Sequence, residues 1–143
     1  MVIFTNTFRD ALGAALIADL LDATAELRLF TADPGLTKDT VLADLIAPTF
    51  TGYTDQTLAF AMTTDIDGNR VLTAGPVTDI ATDAVNLPQQ IVGAGIVDSA
   101  GSLVCAGLFS IPVPILYSGQ QIHVTVRVPV ADDASVIFEG YSA

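Results

Sequence analysis

Tryptophan is absent from this 143-residue chain, and cysteine, histidine and lysine occur once each, as Cys105, His123 and Lys38. Each shortage bears on function. A single cysteine forms no internal disulfide, so nothing points to a stapled, secreted scaffold. One histidine and one cysteine cannot build a closed structural metal site. Five basic residues stand against sixteen acidic ones, a formal net charge of −11. Such a surface repels a phosphate backbone, which disfavours nucleic acid as a partner. The absence of tryptophan weakens a sugar-binding platform, although Tyr53, Tyr117 and Tyr141 remain.

Long apolar runs are also missing. A membrane span needs roughly 20 predominantly apolar residues, and Ala11–Leu21 is about half of that. It is interrupted by Gly13 and Asp19. A signal peptide would want a basic start and an unbroken apolar region. Here Asp10 follows Arg9 at once, and Asp19 and Asp22 break the run. No membrane partner is expected.

What the chain has in abundance is apolar side chains: 51% of residues are hydrophobic and only 15% are charged. One domain of this size can bury a core without staples. An apolar fraction this high in a small soluble chain implies that part of its surface is covered in an assembly. The acids are scattered singly apart from Asp132-Asp133, and their plain role is solubility.

Residues 7–23 read as a helix. Thr7 is a plausible N-cap with Asp10 three residues on, and Phe8, Leu12, Leu16 and Leu20 form a stripe at i, i+4 spacing, widened by Ile17 and Leu21. The rest is β-like. Expected strands are Glu26–Thr31, Gln56–Thr63, Arg70–Ala74, Val77–Thr82, Gln90–Val97, Ser102–Phe109, Gln121–Val130 and Ser135–Phe138. A short helical turn over Val41–Ile46, capped by Asp39 or Thr40, is stopped by Pro48. Asp67-Gly68-Asn69 and Asp98-Ser99-Ala100-Gly101 are hairpin turns. In Gln121–Val130 the residues Ile122, Val124, Val126, Val128 and Val130 alternate with polar neighbours, giving one buried and one wet face. Ser102–Phe109 is apolar on both faces, hence central or at an interface. The expected fold is mainly β: one domain over 1–143, a β-sandwich or jelly-roll-like barrel with an N-terminal α-helix. The tail 131–143 is either the last strand or an arm that pairs with a neighbour.

Signals for chemistry are weak. Asp65-Ile66-Asp67-Gly68-Asn69 resembles a calcium loop, but an EF-hand needs glycine sixth and glutamate twelfth. Here glycine is fourth and Pro76 is twelfth, so the hairpin reading wins. His123 lies on the polar face of a strand, with no Gly-x-Ser-x-Gly elbow to serve. Cys105 sits in an apolar run with no cation beside it, the setting of a buried structural thiol. No phosphate-binding glycine motif is present. No catalytic, cofactor-binding or metal-ligating residue is assigned, no cofactor is expected, and the chain does not read as an enzyme.

One resemblance runs through most of residues 7–128. After the helix come Leu27-Arg28-Leu29-Phe30-Thr31 with Asp33-Pro34, then Thr40-Val41-Leu42-Ala43-Asp44-Leu45 and Phe50-Thr51-Gly52-Tyr53. The order resumes at Ile91-Val92-Gly93-Ala94-Gly95-Ile96-Val97-Asp98, Gly101-Ser102-Leu103 and Gly119-Gln120-Gln121-Ile122-His123-Val124. This order resembles a group of small structural proteins of tailed-bacteriophage virions. Two features depart from it: Gly93 and Gly95 stand where the pattern has tyrosine, and the tail 131–143 is an addition. The resemblance implies a virion component made in the host cytoplasm, of the capsid cement or decoration type. Its implied partners are itself, with a trimer favoured, and the major capsid protein or another virion protein. A tail or baseplate adhesin binding host glycan is the alternative, and an enzyme comes third. The apolar stretches nominate Leu103, Cys105, Leu108, Phe109, Val136 and Phe138 as interface residues.

Overall fold

The computed structural model describes residues 25–37, 39–64, 66–129 and 137–143, together with Ala15. The helix expected over 7–23 lies, Ala15 apart, outside the described residues, as does Val136. The described chain is mainly β. Its strands are β1 (Glu26–Phe30), β2 (Gln56–Thr57), β3 (Phe60–Thr64), β4 (Arg70–Ile80), β5 (Gln89–Val97), β6 (Leu103–Ile115), β7 (Gln121–Pro129) and β8 (Ile137–Ser142). They form two antiparallel four-stranded sheets, one ordered β2-β1-β5-β6 and the other β3-β4-β7-β8. The sheets bury their facing sides against each other as a β-sandwich.

Strand β7 sets the pattern for the second sheet. Ile122, Val124, Val126 and Val128 are buried, and their neighbours face outward, as the two-residue period requires. Against them β4 places Leu72 and Ala74, paired with Val128 and Val126. The expected break between Arg70–Ala74 and Val77–Thr82 is a bulge within one strand. The register shifts between Ala74 and Val77, across Gly75 and Pro76. Gly75 has φ +100°, and a Cβ there would stand 2.6 Å from the Val124 carbonyl oxygen, so only glycine fits. The extra residue flips the parity of everything after it. Val77 and Asp79 turn inward, while Thr78 and Ile80 turn out.

In the first sheet, Leu27, Leu29, Ile91, Ala94 and Ile96 supply the inner face. The outer face is partly covered too. Phe30 and Leu45 are buried, and they lie over Gly93 and Gly95 of β5. A Cβ on Gly93 would collide with the Phe30 ring and with the Gly107 carbonyl oxygen; one on Gly95 would meet Leu45 and Leu103. At these two positions the room is taken by side chains from β1, the β1–β2 connection and β6. Within that connection the expected helical turn is a single 3-10 turn, Leu42–Asp44, with the Asp44 carboxylate accepting from the Val41 N–H at 2.9 Å.

Strand β6 outruns its expected end at Phe109 and continues to Ile115 through Pro112 and Pro114. Proline is tolerated there because β6 is the edge strand of its sheet. Its pairing with β5 skips from Leu108 to Val113, so residues 109–112 form a bulge. The other edge faces it across the sandwich. Phe138 of β8 packs over Gly107 of β6, and Phe109 of β6 packs over Gly140 of β8. Residues 137–142 thus form a strand on β7 of their own chain.

Gly93→Ala tests the covered outer face. It should lower stability by about 1–3 kcal/mol, because backbone and a buried ring must both shift. Thermal melting is the measurement, and a melting temperature equal to that of the wild type would contradict the packing described.

Candidate functional site

The densest polar cluster of the described chain lies where β1, β2 and β4 meet. Arg28 points to the outer face of β1 and grips Asp55, with Nη2 at 2.7 Å and Nε at 3.0 Å from Oδ2. The Tyr53 hydroxyl donates to Asp55 Oδ1 at 2.8 Å and accepts from the Leu29 N–H at 3.0 Å. One residue beyond Asp55, Gln56 donates through Nε2 to Asp79 Oδ1 at 2.8 Å, and the Thr54 N–H reaches the same oxygen at 3.2 Å. Asp79 is only 5% exposed.

These environments shift the titrations. Burial holds the Asp79 carboxyl above the usual carboxylate range; hydrogen bonds from Gln56 and Thr54 work against that shift, and the nearby Asp55 adds to it. The hydrogen bond to Asp55 raises Arg28, and burial drives Tyr53 well above its ordinary value. Two carboxylates standing close together suggest acid–base chemistry. Here Asp55 is occupied by Arg28 and Tyr53, while Asp79 is occupied by Gln56 and Thr54. The cluster ties two strands of one sheet to β4 of the other, which is a structural task.

His123 sits in the middle of a row across three strands. Register places it beside Thr78 and Tyr141. Its Nδ1 is 2.7 Å from Thr78 Oγ1, and its ring stacks on Tyr141 with centroids 5.0 Å apart. Further along the same face Arg127 and Glu139 stand 3.8 Å apart, both half exposed, a pair that contributes little. Among the described residues, no three His, Cys, Asp or Glu side chains gather where they could hold a metal ion.

The residues nominated as an interface divide into three groups. Phe109 and Phe138 are each 6% exposed and belong to the sandwich core, because each ring fills the space above the other strand's glycine. Leu108 faces outward and is 46% exposed. Leu103 and Cys105 are half-buried at a cavity of about 270 Å³ between Leu36, Thr37 and Thr40 and the start of β6. Burial pushes the Cys105 thiol up to about 11, against a hydrogen bond from the Ile96 main chain. Burial thus disfavours the thiolate that a nucleophile would need.

No family model matches the chain, nor does any curated protein or any solved structure.

The sequence reading missed the Arg28–Asp55–Tyr53 cluster, whose members lie far apart along the chain. Asp79 did leave a signal. Glycine followed by proline within a strand pattern marks a bulge, and a bulge at Gly75-Pro76 inverts the parity that would otherwise put Asp79 in water.

The raised Asp79 titration predicts a pH dependence. The folded state binds this proton more tightly than the unfolded chain, whose ordinary value is 3.8. The group's contribution is therefore fullest at low pH and declines as pH rises from 3.8 through the raised folded value. Asn at this position keeps an oxygen acceptor for Gln56 and Thr54 without the charge. Measured from pH 4 upward, the melting temperature of the wild type minus that of Asp79→Asn should fall; a difference that stays flat or rises would contradict the burial of Asp79.

Proposed function

We propose that this chain is a non-enzymatic structural subunit of a bacteriophage particle, a capsid cement or decoration protein that stabilises contacts between capsomers. The observation that carries the reading is the state of β6. It is a thirteen-residue strand at a sheet edge among the described residues. Its second half is guarded by Pro112, Pro114 and the bulge at 109–112. Its first half, Leu103–Leu108, carries neither charge nor proline. An unguarded apolar edge is a template for pairing with another chain.

Cement proteins act by burying apolar area across joints, each square ångström contributing roughly 25 cal/mol before association costs. Half-buried Leu103 and exposed Leu108 offer such area beside the strand's own main-chain groups. The resemblance of its motif order to that of phage virion proteins is consistent with the same assignment. The net charge of −11 suits an outer position, away from packaged nucleic acid.

A second reading, a tail or baseplate adhesin for host glycan, is favoured by the stacked His123–Tyr141 pair on the outer face of the second sheet. Tyr53, by contrast, has its hydroxyl engaged by Leu29 and Asp55. Glycan-array binding that disappears in Tyr141→Ala would select this reading.

Purified protein incubated with capsids of the encoding phage tests the cement proposal. Saturable binding at a fixed stoichiometry is expected, and Leu108→Lys should weaken it about tenfold, or about 1.4 kcal/mol. Capsids that take up none of the protein at tens of micromolar would overturn it.

A further inference from the structure

The apolar side chains left exposed on this protein are not evenly spread. Ile46, Ile80, Val85, Leu116 and Tyr117 all lie at the end of the sandwich where β1, β4, β6 and β8 finish, and each is between 40% and 61% exposed. They belong to three segments: residues 46–54, the later part of the β1–β2 connection, residues 80–88 between β4 and β5, and residues 115–120 between β6 and β7.

Those connections are held firmly to one another. The Thr82 N–H donates to the Thr51 carbonyl at 2.9 Å, and Asn86 Nδ2 donates to the Thr49 carbonyl at 2.9 Å. Thr49 and Gln89 exchange two hydrogen bonds, at 3.0 and 2.6 Å. On the other side, Ala81 and Gln120 join at 3.0 Å, and the Gly119 N–H reaches the Ala81 carbonyl at 2.7 Å. The buried Gln120 side chain spans the Leu116 N–H and the Pro114 carbonyl, at 2.8 Å each. Loops stitched in this way lose little conformational entropy on docking.

Those segments carry little charge themselves, although Asp33, Asp39 and Asp44 stand earlier in the β1–β2 connection. Asp83 is the one ionised side chain within the segments, and its Oδ1 already accepts from the Val85 N–H at 2.8 Å. They hold no lysine or arginine to attract an acidic partner. Two copies of a chain with net charge −11 repel each other wherever their carboxylates come within about 10 Å, the screening length at 0.1 M salt. Within these segments Asp83 is the one carboxylate that would add to that repulsion. Its five apolar side chains expose on the order of 500 Å² per molecule, at the upper range of the largest patch on a monomer and a large part of the ~800 Å² each partner gives to a standard interface.

We infer that this loop end is a self-association face and that its occupant is a second copy of the same chain. An isologous interface brings the same patch of both subunits together, and an apolar patch can meet its own copy without needing an opposite charge there. The face is distinct from the β6 edge, so it stands whether or not the capsid reading does.

Sedimentation velocity at 50 µM, with the melting temperature recorded alongside, tests it. The full-length wild type should be oligomeric. Val85→Asp combined with Leu116→Asp should raise the dissociation constant at least tenfold without lowering the melting temperature, since both side chains are exposed. Tyr117→Arg should do the same as an independent single change, and decides the matter if the double variant is unstable. Leu108→Lys should leave self-association intact. A monomeric wild type, an oligomer that survives the loop substitutions in folded protein, or dissociation by Leu108→Lys would each overturn the inference.

Discussion

The two sheets meet at one side through a reciprocal arrangement of rings and glycines. Phe138 of β8 lies where a Cβ on Gly107 would come within 2.8 Å of its ring, and Phe109 of β6 lies where a Cβ on Gly140 would come within 2.8 Å of its own. Each strand gives a ring and receives one. Both strands are edges, with main-chain partners on one side only among the described residues. The rings therefore hold the two edges together across the core without a hydrogen-bond ladder between them. Burial of a phenylalanine in a core is worth about 3–5 kcal/mol against alanine, and two of them form the wall on this side. The opposite side is closed differently, by the polar bonds of Asp79 to Gln56 and Thr54 between β4 and β2.

This wall explains why β6 has two characters. Its inward residues Phe109, Val113 and Ile115 serve the core, while Leu108 and Ile111 are left outside. The outward side of Leu103–Leu108, a sheet edge among the described residues, supports the docking proposal, and the loop end supports self-association. The two surfaces use different residues, as a protein joining neighbours to a shell would require. Asp55 is neutralised internally by Arg28.

Much of the fold was legible because period-two alternation is a local property. Strand β7, the hairpin turn at Asp98–Gly101 and the bounds of β1 and β5 follow from it directly. The mainly β, sandwich-like architecture follows from many short strands with glycine and proline between them. What alternation cannot supply is which face another sheet will cover. Phe109 and Phe138 looked like interface residues because nothing near them in sequence says that β6 and β8 stack. Phe30 falls on the outer face of β1, yet it is buried, because the β1–β2 connection brings Leu45 over the same sheet. The candidate sites were less legible still, since Arg28, Asp55 and Asp79 are brought together by strand order alone. The exposed loop residues Val85, Leu116 and Tyr117 carried no sequence pattern at all.

If the Phe109–Phe138 wall is what closes the sandwich, β8 is indispensable to the fold. Deleting residues 137–143 and following thermal unfolding by circular dichroism is the direct test. The deletion should remove the cooperative transition, because β6 loses the ring that covers Gly107 and β7 loses its paired edge. A truncated protein that melts cooperatively within a few degrees of the full chain would contradict this account.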